Sequence, residues 1–179
     1  MTSPRLMMDS HAGQPLSSSD PIRARIVREA TYLMLVIVVP FIYRYADLGV
    51  THMVVVLTTA SSFAVFNLWL LKRKTHPLVP GYIACTLLYG MLVASNLSSG
   101  GFGEPNFAFL YVVPLAGAIL VNSRTAGYLT ALVILTTIVF WSFPSFGIEL
   151  VNYVPDDERP LQNLLFRIAA ITAIGFLTC

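Results

Sequence analysis

Charge is what this sequence has least of. Lysine, arginine, aspartate and glutamate make up 11% of its 179 residues, where a soluble domain carries about a quarter, so a largely water-facing surface is excluded. The net charge of +2 is small and dispersed, without the basic footprint that nucleic acid requires. The two cysteines, Cys85 and Cys179, each lie in an apolar run and indicate no disulfide framework. The opening stretch, MTSPRLMMDSHAGQPLSSSD, lacks the unbroken apolar core of a signal peptide. It reads as a disordered cytoplasmic tail over residues 1–20, with His11 solvated. Also missing are H-E-x-x-H, C-x-x-C, the P-loop and G-x-S-x-G. Gly100-Gly101-Phe102-Gly103 is no dinucleotide fingerprint, because it follows a membrane helix and lacks the spacing. No residue is assigned as catalytic or metal-binding, and the chain by itself is not expected to be an enzyme.

What the chain has instead is apolar length. It is 56% hydrophobic with a mean hydropathy of +0.72, which predicts an all-α, polytopic membrane protein of six transmembrane helices over residues 21–179. Asp20-Pro21 suits a helix start, and Ile22 to Glu29 forms an amphipathic juxtamembrane turn or two, with Arg23, Arg25 and Arg28 toward anionic headgroups. The spans then fall at about 30–45, with Pro40 as a kink, and at 49–71, 78–97, 107–121, 126–143 and 161–179. The fourth is short for a hydrocarbon core of about 30 Å. Arg23, Arg25, Arg28, Lys72, Arg73, Lys74 and Arg124 fall on one side, whereas Asp156, Asp157 and Glu158 fall on the other. The positive-inside rule therefore places both termini in the cytoplasm of a bacterial inner membrane.

The most sharply specified backbone outside the lipid is the turn Gly100-Gly101-Phe102-Gly103-Glu104-Pro105-Asn106. Adjacent glycines admit positive φ and Pro105 blocks helix continuation, so a tight re-entry is expected, with Asn106 capping a helix that begins at Phe107. Candidate ligand-binding residues are Gly100, Gly101, Glu104, Asn106, Tyr111 and Arg167. Arg167 lies about two turns into the last span, where charge is costly; it either snorkels or pairs with Glu104, Glu149 or an anionic or carbonyl-bearing ligand. Tyr82, Tyr89, Phe102, Phe107 and Tyr111 are expected either to line an apolar pocket under the turn or to form part of the interfacial aromatic belt. Asn67, Ser95, Asn96 and Thr130 are expected to bond between helices, and Gly90 with Ala94 to mark a close helix approach. Haem is a further alternative: His52 and His76 lie roughly a bilayer apart and cannot share one iron within a chain, which leaves His52 paired across a dimer.

With Gly100-Gly101, Pro105, Pro114 and Arg124 placed, residues 23 to 179 resemble the six-helix membrane sensor (MASE-type) input domains of bacterial signalling proteins. Such domains precede class III adenylate cyclases, diguanylate cyclases and histidine kinases. A narrower similarity is to quinone-sensing redox histidine kinases with a G-G-x-x-N-P-F turn. Here the glycines match, while proline and asparagine are transposed and shifted. The resemblance implies a homodimeric sensory and dimerisation module that detects a small lipophilic ligand and governs a C-terminal cyclase or kinase domain. A last helix still apolar at Phe176-Leu177-Thr178-Cys179 fits that reading of a membrane module cut from a longer chain. Two alternatives remain: a haem- or quinone-binding redox sensor, and a small carrier or channel. The latter is poorly matched, because no internal repeat and no midspan acid is found.

Overall fold

The computed structural model describes residues 20–73, 76–101, 105–154 and 159–178. Helices α1 (Asp20–Asp47), α2 (Thr51–Lys72), α3 (Leu78–Ser98), α4 (Val112–Leu120), α5 (Ser123–Ser142) and α6 (Arg159–Thr178) follow in order. A 3-10 segment, Pro105–Tyr111, leads into α4, and a 3-10 turn, Phe143–Phe146, closes α5. Among the described residues there is no strand, only an isolated bridge between Ser99 and Asn152.

Among the described residues, four helices are long and apolar enough to cross a membrane: Pro21–Asp47, Thr51–Lys72, Leu78–Ser98 and Ser123–Phe146. Phe107–Leu120 is a shorter apolar helix. The burial pattern is that of a helical membrane protein. Thr31, Asn67, Ser95, Asn96, Thr125 and Thr136 are buried, while Val36, Val39, Phe63, Val65, Ile134, Leu135 and Ile138 are exposed. Water would reverse that arrangement, whereas lipid leaves apolar side chains outside and drives polar ones to find partners inside.

Two expectations need adjustment. The juxtamembrane turns and first span are one continuous helix of 28 residues that keeps Pro40 inside it. At 1.5 Å per residue it is about 42 Å long, more than a hydrocarbon core needs. The surplus carries Arg25, whose Nε is 2.7 Å from Glu29 Oε1 one turn on. The second concerns the fourth segment, which begins as a 3-10 helix at Pro105 rather than as an α-helix at Phe107. Seven residues at about 2.0 Å and nine at 1.5 Å give roughly 28 Å, so this short run still approaches the thickness of the core. Pro114 sits third in α4, but the 3-10 segment runs into α4 without a break, so the turn before it offers acceptor carbonyls and the proline removes one bond from the combined run.

The helix ends gather in two groups. At one end, Val27 of α1, Ala84 and Cys85 of α3, and Leu120 and Val121 pack together with Leu71 and Leu78. At the other, Tyr45, Val50, Met53 and Met91 form a second cluster with Ala94 and Phe109. Helices approach closely at Gly81, where a Cβ would meet Leu120 O at 2.7 Å, and at Gly117, where it would meet Leu129 Cδ1 at 2.5 Å and the Ala126 backbone at 3.5 Å. Gly90 meets nothing within 4 Å, so the Gly90–Ala94 pair does not mark the close seam. Asn122 caps α5, its side chain accepting from Thr125 N at 2.8 Å.

Candidate functional site

α6 meets the bundle along one face of its described side chains. Its packing runs against α1 and the 3-10 segment, with Leu165 and Ala169 laid on the Tyr45–Met53 cluster. Between that helix and α1–α4 lies an apolar cavity of about 190 Å³. Ala30, Met34, Ile37, Val38 and Phe41 of α1 form one wall, Leu57 of α2 with Ala84, Leu88 and Met91 of α3 another, and Phe109, Val112, Ala116 and Ala169 add to the lining of a pocket that stays partly open. Two residues bring hydroxyls to its lining, Tyr45 and Ser95. They are buried together, Tyr45 Oη and Ser95 Oγ lying 3.3 Å apart.

The polar end of the cavity adjoins the glycine turn. Gly100 and Gly101 have φ of 95° and 79°, the left-handed backbone that glycine alone adopts freely. Gly101 N donates to Asn96 O at 2.9 Å, folding the chain back over the end of α3. The turn is held from two sides. His52 Nε2 lies 3.1 Å from Ser98 Oγ, the His52 ring meets Tyr153 edge-on at 5.0 Å, and Tyr153 N donates to Ser98 O at 3.2 Å. Asn96 Oδ1 and Ser99 Oγ are buried with no hydrogen-bond partner, so a polar group reaching the turn meets unspent bonding capacity.

Of the residues singled out from sequence, Gly100 and Gly101 thus form the turn. Glu104 and Phe102 lie outside the described residues, and of Asn106 only the backbone, within the 3-10 segment, is described. Tyr111 is 58% exposed and is not among the residues lining the cavity, although its neighbours Phe109 and Val112 are. Arg167 is exposed on the face of α6 shared with Leu164, Ile168 and Ile171, away from Leu165 and Ala169. It makes no ion pair among the described residues.

Among the described residues, Tyr82, Tyr89, Phe107 and Tyr111 do not come together in one pocket. The Tyr82 hydroxyl accepts from Thr125 Oγ1 at 3.1 Å, Tyr89 bonds Thr136, and Phe107 packs edge-on against Phe140. These rings tie α3 and the 3-10 segment to α5, on the far side of α3 from the cavity. Asn67 and Ser95 do bond between helices, whereas Asn96 and Thr130 bond carbonyls of their own helices.

Sequence reasoning missed the cavity because its lining is ordinary in type. The available signal was the trio Met34, Met53 and Met91, side chains that adapt to irregular gaps, together with Tyr45 and Ser95. As for haem, the described residues hold no cluster of three metal-ligating side chains. His52, on α2, is engaged with the turn, and His76 Nδ1 is 3.4 Å from Leu78 N at the opposite end of that helix. Comparison with protein-family models, with curated proteins and with solved structures returned no match.

Proposed function

We propose that this chain is a membrane-embedded sensory module in which a small lipophilic ligand, held between the helices, biases the position of α6. The reading takes the chain as six spans with both termini in the cytoplasm of a bacterial inner membrane, working as a homodimer. α6 would lead toward an output domain of the cyclase or histidine kinase kind, so that its displacement is the signal. One observation carries this: Ala169 of α6 lines the apolar cavity together with residues of α1 to α4. A ligand shifts such an equilibrium only by its differential affinity for the two packings, and a cavity that includes the moving wall supplies that difference. The glycine turn and its His52–Ser98–Tyr153 clasp hold the other end of the cavity in place.

The test is a distance measurement. Spin labels at Val39 of α1 and Leu164 of α6, with Cys85 and Cys179 replaced, report the α1–α6 separation in nanodiscs by pulsed electron resonance. The expected result is a shifted or narrowed distance distribution on adding a lipophilic compound that binds the chain. A distribution indifferent to every such compound overturns the reading.

A further inference from the structure

α6 carries two arginines, and they share a groove. Arg159, Pro160, Asn163, Leu164 and Arg167 line it together. Arg159, Asn163 and Arg167 stand four residues apart in turn, a spacing that sets them in one row along the helix. Arg167 is exposed, and no aspartate or glutamate lies within Arg159–Thr178. Beside and below this row the helix turns apolar. Leu164, Ile168 and Ile171 are exposed at 53%, 53% and 70%, away from Leu165 and Ala169, which lie on the bundle. From Asn163 to Ile171 is roughly 12 Å at 1.5 Å per residue. One side of the helix thus passes from cationic to apolar within about two turns.

We propose that this groove binds the phosphate of an anionic phospholipid, an inference that rests on the reading of α6 as a membrane span. Arg159 and Arg167 supply the charge, Asn163 a hydrogen bond, and the acyl chains lie on Leu164, Ile168 and Ile171. A guanidinium presents two parallel N–H donors to a phosphate. Arg167, about two turns further along the helix, reaches back to the headgroup level as a snorkelling side chain does. A soluble phosphate would engage the arginines and leave the apolar residues beside them unused, whereas a lipid engages both. A zwitterionic lipid brings its own ammonium to the same row, and two arginines disfavour it.

The whole chain is placed in nanodiscs containing dibrominated phosphatidylglycerol or dibrominated phosphatidylcholine, whose bromines quench tryptophan on contact. Each variant keeps one tryptophan. Ile168→Trp, with Trp69→Phe and Trp141→Phe, reports the groove. Trp69→Phe alone leaves Trp141, which is 64% exposed near the end of α5 and reports an ordinary lipid-facing position. The association constant of phosphatidylglycerol relative to phosphatidylcholine is expected to be at least about fivefold at the groove, the weight of one basic residue near anionic lipid, and close to one at Trp141. Arg159→Gln and Arg167→Gln are each expected to lower the groove ratio, and the two together to bring it to about one. Arg167→Lys keeps the charge and is expected to keep most of the ratio. Inorganic phosphate is expected to leave it unchanged.

A groove ratio near one, an equal ratio at Trp141, or a preference that survives the double arginine variant would each overturn the proposal. So would its loss on adding phosphate, which would make the groove a site for a soluble anion. Asp156, Asp157 and Glu158 precede α6 in the sequence and lie outside the described residues. A preference that emerges only with Asp156→Asn, Asp157→Asn and Glu158→Gln would mean that those acids already hold the arginines, and it would overturn the proposal too. The two readings fail separately: quenching by both lipids without preference removes the site and keeps α6 in the bilayer. Absence of quenching by either lipid takes α6 out of the bilayer, and the six-span reading falls with the site.

Discussion

Asn67 is fully buried in α2, and its amide nitrogen donates to Pro80 O on α3 at 3.0 Å and to Thr31 Oγ1 on α1 at 3.4 Å. Thr31 in turn donates to Val27 O, so one side chain joins three helices through two bonds. Interhelical bonds in membranes average about 0.6 kcal/mol and reach about 1.7. Its Oδ1 is buried without a partner, and deleting it offsets part of the loss. Asn67→Ala is therefore expected to lower stability by about 1 kcal/mol, read from unfolding in mixed micelles at rising dodecyl sulfate. A loss near zero would show that the bonds hold nothing. Gly101 is a different kind of residue, with a positive φ and a Cβ position 2.5 Å from Leu150 Cδ1. Gly101→Ala is expected to cost about 1–2 kcal/mol for the left-handed backbone, because the Leu150 side chain can move aside. In the same assay Gly147→Ala, where φ is also positive but nothing lies within 4 Å, isolates the backbone part. The glycine pair was legible from sequence because backbone demands are local. The partners of Asn67 were not, since they come from two other helices.

At the scale of the helix, position decides what a residue does. Pro40 lies inside α1 and is exposed, where it removes the bond to the Val36 carbonyl. Pro114 stands third in α4, where the preceding 3-10 segment offers carbonyls, so it too removes a bond. Pro40→Ala and Pro114→Ala are each expected to raise stability, by up to about 3 kcal/mol. Thermal unfolding in detergent, followed by circular dichroism, reads both, and a loss of stability in either would contradict the placing of these prolines inside helical runs. The seams obey the same logic of place. Gly117→Leu drives a side chain into Leu129 Cδ1 and the Ala126 backbone, at 2.5 and 3.5 Å from its Cβ, and is expected to cost at least 1–3 kcal/mol as overpacking. Gly90→Leu, facing open space, is expected to be neutral. Hydropathy made the existence of these helices readable, but not their faces. Both the lipid side and much of the core are apolar, so the sequences around Gly90 in α3 and Gly117 in α4 offer no polar stripe by which to tell the two apart.

For the whole molecule, the question is which way the bundle stands in the membrane. The start of α1, the end of α2 and the start of α3 meet in one cluster with Leu120 and Val121, so the basic runs flanking these helices share one end. Arg73 lies over Trp69, its guanidinium carbon 4.1 Å from the ring centroid, a cation and an aromatic suited to the headgroup level. The glycine turn, bridged through Ser99 to Asn152, marks the opposite end. This alternation was legible because short connections force neighbouring helices to run antiparallel. The seat of α6 was not, because nothing in its sequence distinguishes Leu165 and Ala169 from Leu164 and Ile168. By the positive-inside rule the basic end is expected in the cytoplasm. With Cys85 and Cys179 replaced, a single cysteine at Ser123, beside Arg124, is expected to resist a membrane-impermeant maleimide added to intact cells and to react once they are opened. A cysteine at Ser145, exposed in the turn after α5, is expected to react from outside. Since α5 alone separates the two positions, labelling of both from one side would mean that α5 does not cross, and the six-span reading would fail with it. Labelling from opposite sides in the reverse sense would leave the bundle intact but turn it over, placing the glycine turn and the polar end of the cavity toward the cytoplasm.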